Sequence, residues 1–142
     1  MHPTPWHFWP VVVIAFIWHA MGVLDYTATQ AEWGPWMSMV SGRQEAFIDN
    51  MPEWVDATWA IAVWAGLLGV LVMAFRAAYA PLILAVSAIA VIVLTIWLTA
   101  VSKPDAAAIA GAAATWILIL ACVIAVLLWL YARTIKRAGV ID

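Results

Sequence analysis

Charge is scarce in this chain. Only 10% of its 142 residues are Asp, Glu, Lys or Arg, against about a quarter in an ordinary soluble domain. Six basic residues against eight acidic ones leave a formal charge of −2, too weak to imply nucleic acid, so no nucleic-acid partner is expected. Cysteine is scarcer still. The single one, Cys122, rules out an intrachain disulfide, and its apolar surroundings mark it as a small buried hydrophobe. No catalytic motif, cofactor signature or phosphate loop is present. The expectation is therefore a protein that is not an enzyme and holds no cofactor or metal.

What is abundant is apolar surface. Hydrophobic residues make up 68% of the chain and the mean hydropathy is +1.02, so the solvent it prefers is lipid. A helix spans a bilayer with about 20 mostly apolar residues, and four stretches qualify: 6–29, 52–75, 81–101 and 104–131. Start signals accompany each. Thr4-Pro5 precedes the first, and Asn50 with Glu53 forms a capping-box spacing before the second. Pro81 opens the third, and Ser102 with Asp105 precedes the fourth. The first stretch has no Lys or Arg before it and no clean small-residue cleavage site after it, so it reads as a retained span and not as a leader. The predicted fold is all-α: one domain, a four-helix transmembrane bundle with a single sizeable loop at 30–51. The other connections are short, which predicts antiparallel neighbours in up-down order.

Basic residues near helix ends orient the bundle. Arg76, Arg133, Lys136 and Arg137 fall on one side, Arg43 and Lys103 on the other, which predicts both termini in the cytoplasm and the 30–51 loop outside. Eleven tryptophans fit interfacial belts: Trp6, Trp9 and Trp129 at the inner side, Trp33, Trp36, Trp54 and Trp59 at the outer. Trp18, Trp64 and Trp116 lie deeper.

Each span carries a seam of small residues, the feature that lets helices associate in lipid. Gly22 lies on the first with Ala15 and Thr29, Gly66 and Gly69 on the second with Ala62. Ala85 and Ala88 lie on the third, Gly111 on the fourth with Ala107 and Ala114. The glycines are the predicted helix-packing positions. The first two seams also carry Asp25 and Asp56 near the outer end, with Tyr26 and Gln30 beside them. His19 lies about 9 Å deeper than Asp25 at the helical rise. An ionisable side chain inside a membrane is costly unless paired or hydrated, so His19, Asp25, Tyr26, Gln30 and Asp56 form a candidate polar or proton site. Hydrogen bonding among them, or between the acids and the helix-2 amides, is the structural reading of the same residues. His2 and His7 fall at the opposite end.

The stretches Trp18-His19-Ala20-Met21-Gly22-Val23-Leu24-Asp25-Tyr26-Thr27 with Gln30, Met51-Pro52-Glu53-Trp54-Val55, and Ala60 to Gly69 resemble a group of small, uncharacterised four-helix proteins of proteobacterial inner membranes. The resemblance runs on to a Tyr131-Ala132-Arg133 cytoplasmic tail. Some members bear the label sugar transporter, with no mechanism attached. The resemblance implies a multi-pass protein of a bacterial inner membrane and supplies no catalytic residue.

Two functional readings follow. One is an accessory subunit that packs against a larger membrane complex or against itself. The other is a small-solute or proton-coupled transporter working as a homo-oligomer. The inner halves of the last three spans favour the first: 67–75 and 82–86 are wholly apolar, whereas a substrate path needs polarity through both leaflets. A quinone-associated or enzymatic subunit, using the outer polar residues, has the least sequence support.

Overall fold

The computed structural model describes residues 3–142, so His2 lies outside the described residues. Every regular element among them is helical. In chain order these are α1 (Phe8–Gln30), α2 (Gly34–Met37), α3 (Gly42–Asp49), α4 (Glu53–Ala74), α5 (Ala80–Ile96), a π-helical turn (Trp97–Val101), α6 (Ala106–Ala110) and α7 (Ala112–Arg137). Four helical stretches are long and apolar enough to cross a membrane: α1, α4, α5 with its π turn, and α7.

Helix starts depart from the expected caps. Thr4 does not open α1: the helix begins at Phe8, whose N–H bonds the Pro5 carbonyl at 3.0 Å, and no side chain caps it. Asn50 does not cap α4 either. It closes α3 by donating Nδ2–H to the Ala46 carbonyl at 2.7 Å, while the Pro52 carbonyl receives the N–H groups of Val55 and Asp56. Ser102 closes the third span by donating to the Leu98 carbonyl, and Asp105 caps α6 by accepting from Ala108 N–H at 2.9 Å. Pro104, which has no N–H, separates the two residues and hands the cap to the carboxylate beyond it.

The expected 104–131 helix is broken and longer. Gly111, at φ 85° and ψ 167°, divides α6 from α7, a conformation that side chains with a Cβ rarely adopt. A Cβ there would meet nothing within 4 Å, so Gly111 breaks the helix and packs against nothing. The 107–111–114 seam is cut for the same reason. At the other end α7 runs to Arg137, so Tyr131, Ala132 and Arg133 are helical and not a tail. The actual tail folds back. Val140 and Ile141 are buried, the Asp142 N–H bonds the Arg76 carbonyl and the Ala78 N–H bonds the Asp142 carbonyl. Arg76 Nε–H donates to the Val140 carbonyl at 2.8 Å and Lys136 Nζ to the Ala78 carbonyl at 2.9 Å. The 30–51 segment is also more ordered than a loop: Ser41 and Gln44 make a complete capping box that starts α3.

Contacts place the long helices in an open arc: α1 packs on α4, α4 on α5 and α5 on α7, while α1 and α7 share no extended packing. Small residues set the spacing. A Cβ added at Gly66 would run into the His19 ring and stand 2.9 Å from Ser87 Oγ, and one at Gly69 would stand 2.6 Å from Leu84 Cδ2. At Gly22 the nearest atom, Val63 Cγ1, is 3.3 Å away. Just before α1, His7 Nδ1 and the Tyr131 hydroxyl of α7 are hydrogen-bonded at 2.9 Å. Phe8, Val12, Val70, Met73, Leu84, Leu128, Ala132, Ile135, Val140 and Ile141 form one apolar cluster there.

Two outcomes follow, both measurable by thermal unfolding in detergent. Gly66→Ala costs about 1–3 kcal/mol through overpacking, while Gly22→Ala stays within about 1 kcal/mol. Deleting Val140–Asp142 costs roughly 3 kcal/mol or more, because two buried aliphatic side chains are lost together with their backbone ties.

Candidate functional site

The expected polar group divides into three parts. The first is a clasp between the end of α1 and the start of α4. Tyr26 and Gln30 lie one turn apart on α1 and both reach Asp56. Gln30 Nε2–H donates to Oδ1 at 2.6 Å, and the Tyr26 hydroxyl donates to Oδ2 at 3.4 Å. Tyr26 also stands edge-on to Trp59, with ring centroids 5.0 Å apart. Asp56 occupies the first turn of α4, where the unpaired amides and the helix dipole favour a carboxylate. Two donors and the dipole hold the acid in a structural arrangement.

Asp25, one position before Tyr26, turns about 100° away around the helix and joins neither Tyr26 nor Asp56 among the described residues. Its Oδ1 accepts from the Trp36 indole N–H at 3.3 Å. Trp36 arrives there through a tight reversal. Glu32 takes a left-handed φ of 49°, Trp33 N–H reaches back to the Ala28 carbonyl, and Gly34-Pro35 starts α2. The residue assigned from sequence to an interfacial belt is thus folded back over α1.

His19 is the third part. It is 7% exposed and packs against Gly66, where Ser87 Oγ borders the same Cβ position. Its Nε2 is buried and has no hydrogen-bond partner among the described residues. Among the described residues no hydrogen bond joins it to Asp25, whose carboxylate meets Trp36 instead. Ser87 donates to the Ala62 carbonyl at 2.7 Å, which ties α5 to α4 at the level where His19 enters.

Because α1 and α7 do not close on each other, a cleft remains between them. It encloses about 530 Å³. Trp18, His19, Gly22 and Asp25 of α1 form one wall; Ile117, Leu118, Ala121 and Ala125 of α7 form the other. Trp59, Ala62 and Val63 of α4, with Ser87, Val91 and Leu94 of α5, make the floor, and Trp36 reaches the rim beside Asp25. The α7 wall is anchored by Cys122, whose Sγ–H lies 3.2 Å from Thr95 Oγ1 and 3.7 Å from the Val91 carbonyl. Toward the start of α1 and the end of α7 lies the Phe8–Ile141 apolar cluster, with the His7–Tyr131 hydrogen bond beside it.

No family model, curated protein or solved structure matches this chain. The site therefore stands on its own geometry.

That geometry brings together Tyr26, Gln30 and Asp56, and separately His19 and Asp25 as parts of one cleft wall. Gly22 and Gly66 lie where α1 meets α4, and Gly69 lies where α4 meets α5. No group of three or more metal-ligating side chains exists among the described residues. The sequence reading missed Trp36 and Ser87 as site residues. The Gly34-Pro35 pair is a turn signal that marks the return of Trp36 toward α1, whereas nothing local marks Ser87 as the neighbour of His19. The clasp makes a specific prediction. Asp56→Ala leaves the donors of Tyr26 and Gln30 unpaired and costs about 1–2 kcal/mol, while Asp25→Ala, with a single bond at an exposed position, costs less; denaturation of both variants in matched micelles checks the order.

Proposed function

We propose that this protein is a non-enzymatic integral membrane protein that acts as an accessory subunit, held against a larger membrane complex or a second copy of itself. The proposal includes the up-down arrangement, both termini in the cytoplasm, and a bacterial inner membrane as its location. Arg76, Arg133 and Lys136 support the orientation, because they gather with the C-terminus at one end of the bundle. The location is proposed from the resemblance of the Trp18–Thr27 and Met51–Val55 stretches to small proteobacterial four-helix proteins.

The observation that carries the subunit reading is the outer face of α7. Trp116, Leu120, Val123, Leu127 and Leu130 are all exposed and follow one another at spacings of four and three. They stand opposite the Cys122, Ala125, Leu128 and Ala132 row that faces the rest of the molecule. A four-three row of apolar side chains is the pattern by which one helix seats its knobs against another at a shallow crossing angle. α7 is also the least buried of the four long helices, so a partner has access to most of its length. The buried cluster at the terminal end is apolar, which favours holding over transport.

The test is purification of the chain from its native membrane in a gentle detergent, followed by native mass spectrometry. A stoichiometric partner or dimer is expected, and a Val123→Trp/Leu127→Trp double variant is expected to lose it while keeping wild-type helicity. Recovery of the wild-type chain alone, together with solute flux in vesicles that disappears on His19→Ala, would replace this reading with the transporter.

A further inference from the structure

A second cavity lies at the opposite end of the molecule from the Phe8–Ile141 cluster and shares no lining residue with the α1–α7 cleft. It encloses about 460 Å³ where α3, the start of α4 and the end of the third span meet. Two cations line it, Arg43 of α3 and Lys103 of the turn that follows the span, and no Asp or Glu does. Most of the remaining lining is apolar, with Phe47, Pro52, Trp97 and Pro104.

The local sequence sets this arrangement. Trp97–Val101 is a π-helical turn, closed by the Ser102 N–H on the Trp97 carbonyl at 2.8 Å. The chain leaves the span there, which places Lys103 and Trp97 on one cavity. Arg43 stands in the first turn of α3, behind the Ser41–Gln44 box, and its Nη1–H donates to the Ala108 carbonyl at 3.1 Å. Neither cation is neutralised. Arg43 uses one donor on that carbonyl, and Lys103 makes no hydrogen bond or ion pair among the described residues. Asp105, two positions beyond Lys103, caps α6 instead. Two like charges on one cavity repel each other, and an anion held between them reverses the sign of that interaction.

We propose that this cavity binds the phosphate head group of an anionic phospholipid, with Arg43 and Lys103 on the phosphate and the glycerol and upper acyl chain against Phe47 and Trp97. Charge selects an anion, and the guanidinium fork of Arg43 matches phosphate oxygens. Depth selects a lipid. Trp97 lies in the last turns of the Ala80–Val101 span, and Pro52 directly precedes α4, so the cavity stands at the level where head groups and interfacial tryptophans meet. The apolar wall continues in the same direction. Trp97 stands edge-on to Trp54 with ring centroids 6.3 Å apart, and Trp54 and Val101 are exposed on the spans. A free phosphate gains nothing from that wall, whereas an esterified one brings an apolar tail to cover it. The proposal goes beyond the subunit reading and is independent of what the outer row of α7 contacts.

The experiment titrates the full chain in detergent with dioleoylphosphatidylglycerol or dioleoylphosphatidylcholine, reads retained lipid by native mass spectrometry, and maps the contact with a photoactivatable phosphatidylglycerol. One phosphatidylglycerol is expected to be held about tenfold more tightly than phosphatidylcholine, with cross-links in 43–54 and 97–104. Lys103→Gln, which removes no contact within the folded chain, is expected to weaken retention about fivefold. The Arg43→Gln/Lys103→Gln double variant is expected to lose the preference, and Arg133→Gln/Arg137→Gln, at the opposite end, to keep it. Four results would overturn the proposal: equal retention of the two lipids, cross-links centred on 129–137, a preference that survives in the folded double variant, or displacement by millimolar inorganic phosphate, which would make the ligand a free anion. The wild-type cross-link map and Lys103→Gln decide the matter even where the loss of Arg43 impairs folding.

Discussion

Two apolar helices in a bilayer gain nothing by hiding leucine from lipid, so their association depends on how closely their backbones approach. In this protein that approach centres on Gly66, where α4 leaves room for the His19 ring from α1 and the Ser87 hydroxyl from α5. Gly69 repeats the arrangement one turn on, with Leu84 seated over it. Three helices are thereby drawn around one stripe of α4, and the direction of that stripe dictates where α1 and α5 lie. α7 attaches to α5 alone over most of its length, and the space left between it and α1 becomes the cleft. The site is thus a consequence of packing that is tight on one side of the bundle and absent on the other.

The two ends of the bundle are closed by different means. Beside the chain termini the closure is apolar and supplemented by a folded-back tail, in which Val140 and Ile141 enter the core and the Arg76–Ala78 turn supplies backbone partners. At the opposite end the closure is polar. Asp56 gathers Tyr26 and Gln30, Asp25 takes Trp36, and Arg43 ties α3 to the Ala108 carbonyl of α6 at 3.1 Å. The apolar cluster at one end and the hydrogen bonds at the other bracket the cleft between α1 and α7.

Much of this architecture is legible along the chain because hydropathy and helix periodicity are local properties. Four spans follow from runs of apolar residues whose length matches a bilayer. The glycines of the first two spans stand out because they recur at helical spacing beside alanine. Helix termini are less legible, since a cap depends on which of several nearby polar groups reaches the free amides. Asn50 turned back to α3, Asp105 displaced Ser102, and Gly111 broke a helix that its alanine neighbours would have continued. The Ser41–Gln44 box was readable by the same rule and marks a helix inside what hydropathy shows only as a loop.

The amino-acid sequence determined the solvent, the number of spans and the residues small enough to sit at helix contacts, because each is set by composition within one turn or one span. It also placed Asp25 and Tyr26 side by side, but not which way each would turn. Tertiary structure alone decided that Tyr26 joins Asp56 while Asp25 meets Trp36, that Ser87 and His19 meet at Gly66, and that α1 and α7 share no extended packing. Those outcomes depend on the azimuth of each helix about its axis and on which helix pairs approach. Azimuth and pairing are settled by the packing of all four spans at once, so no single segment of the chain contains them.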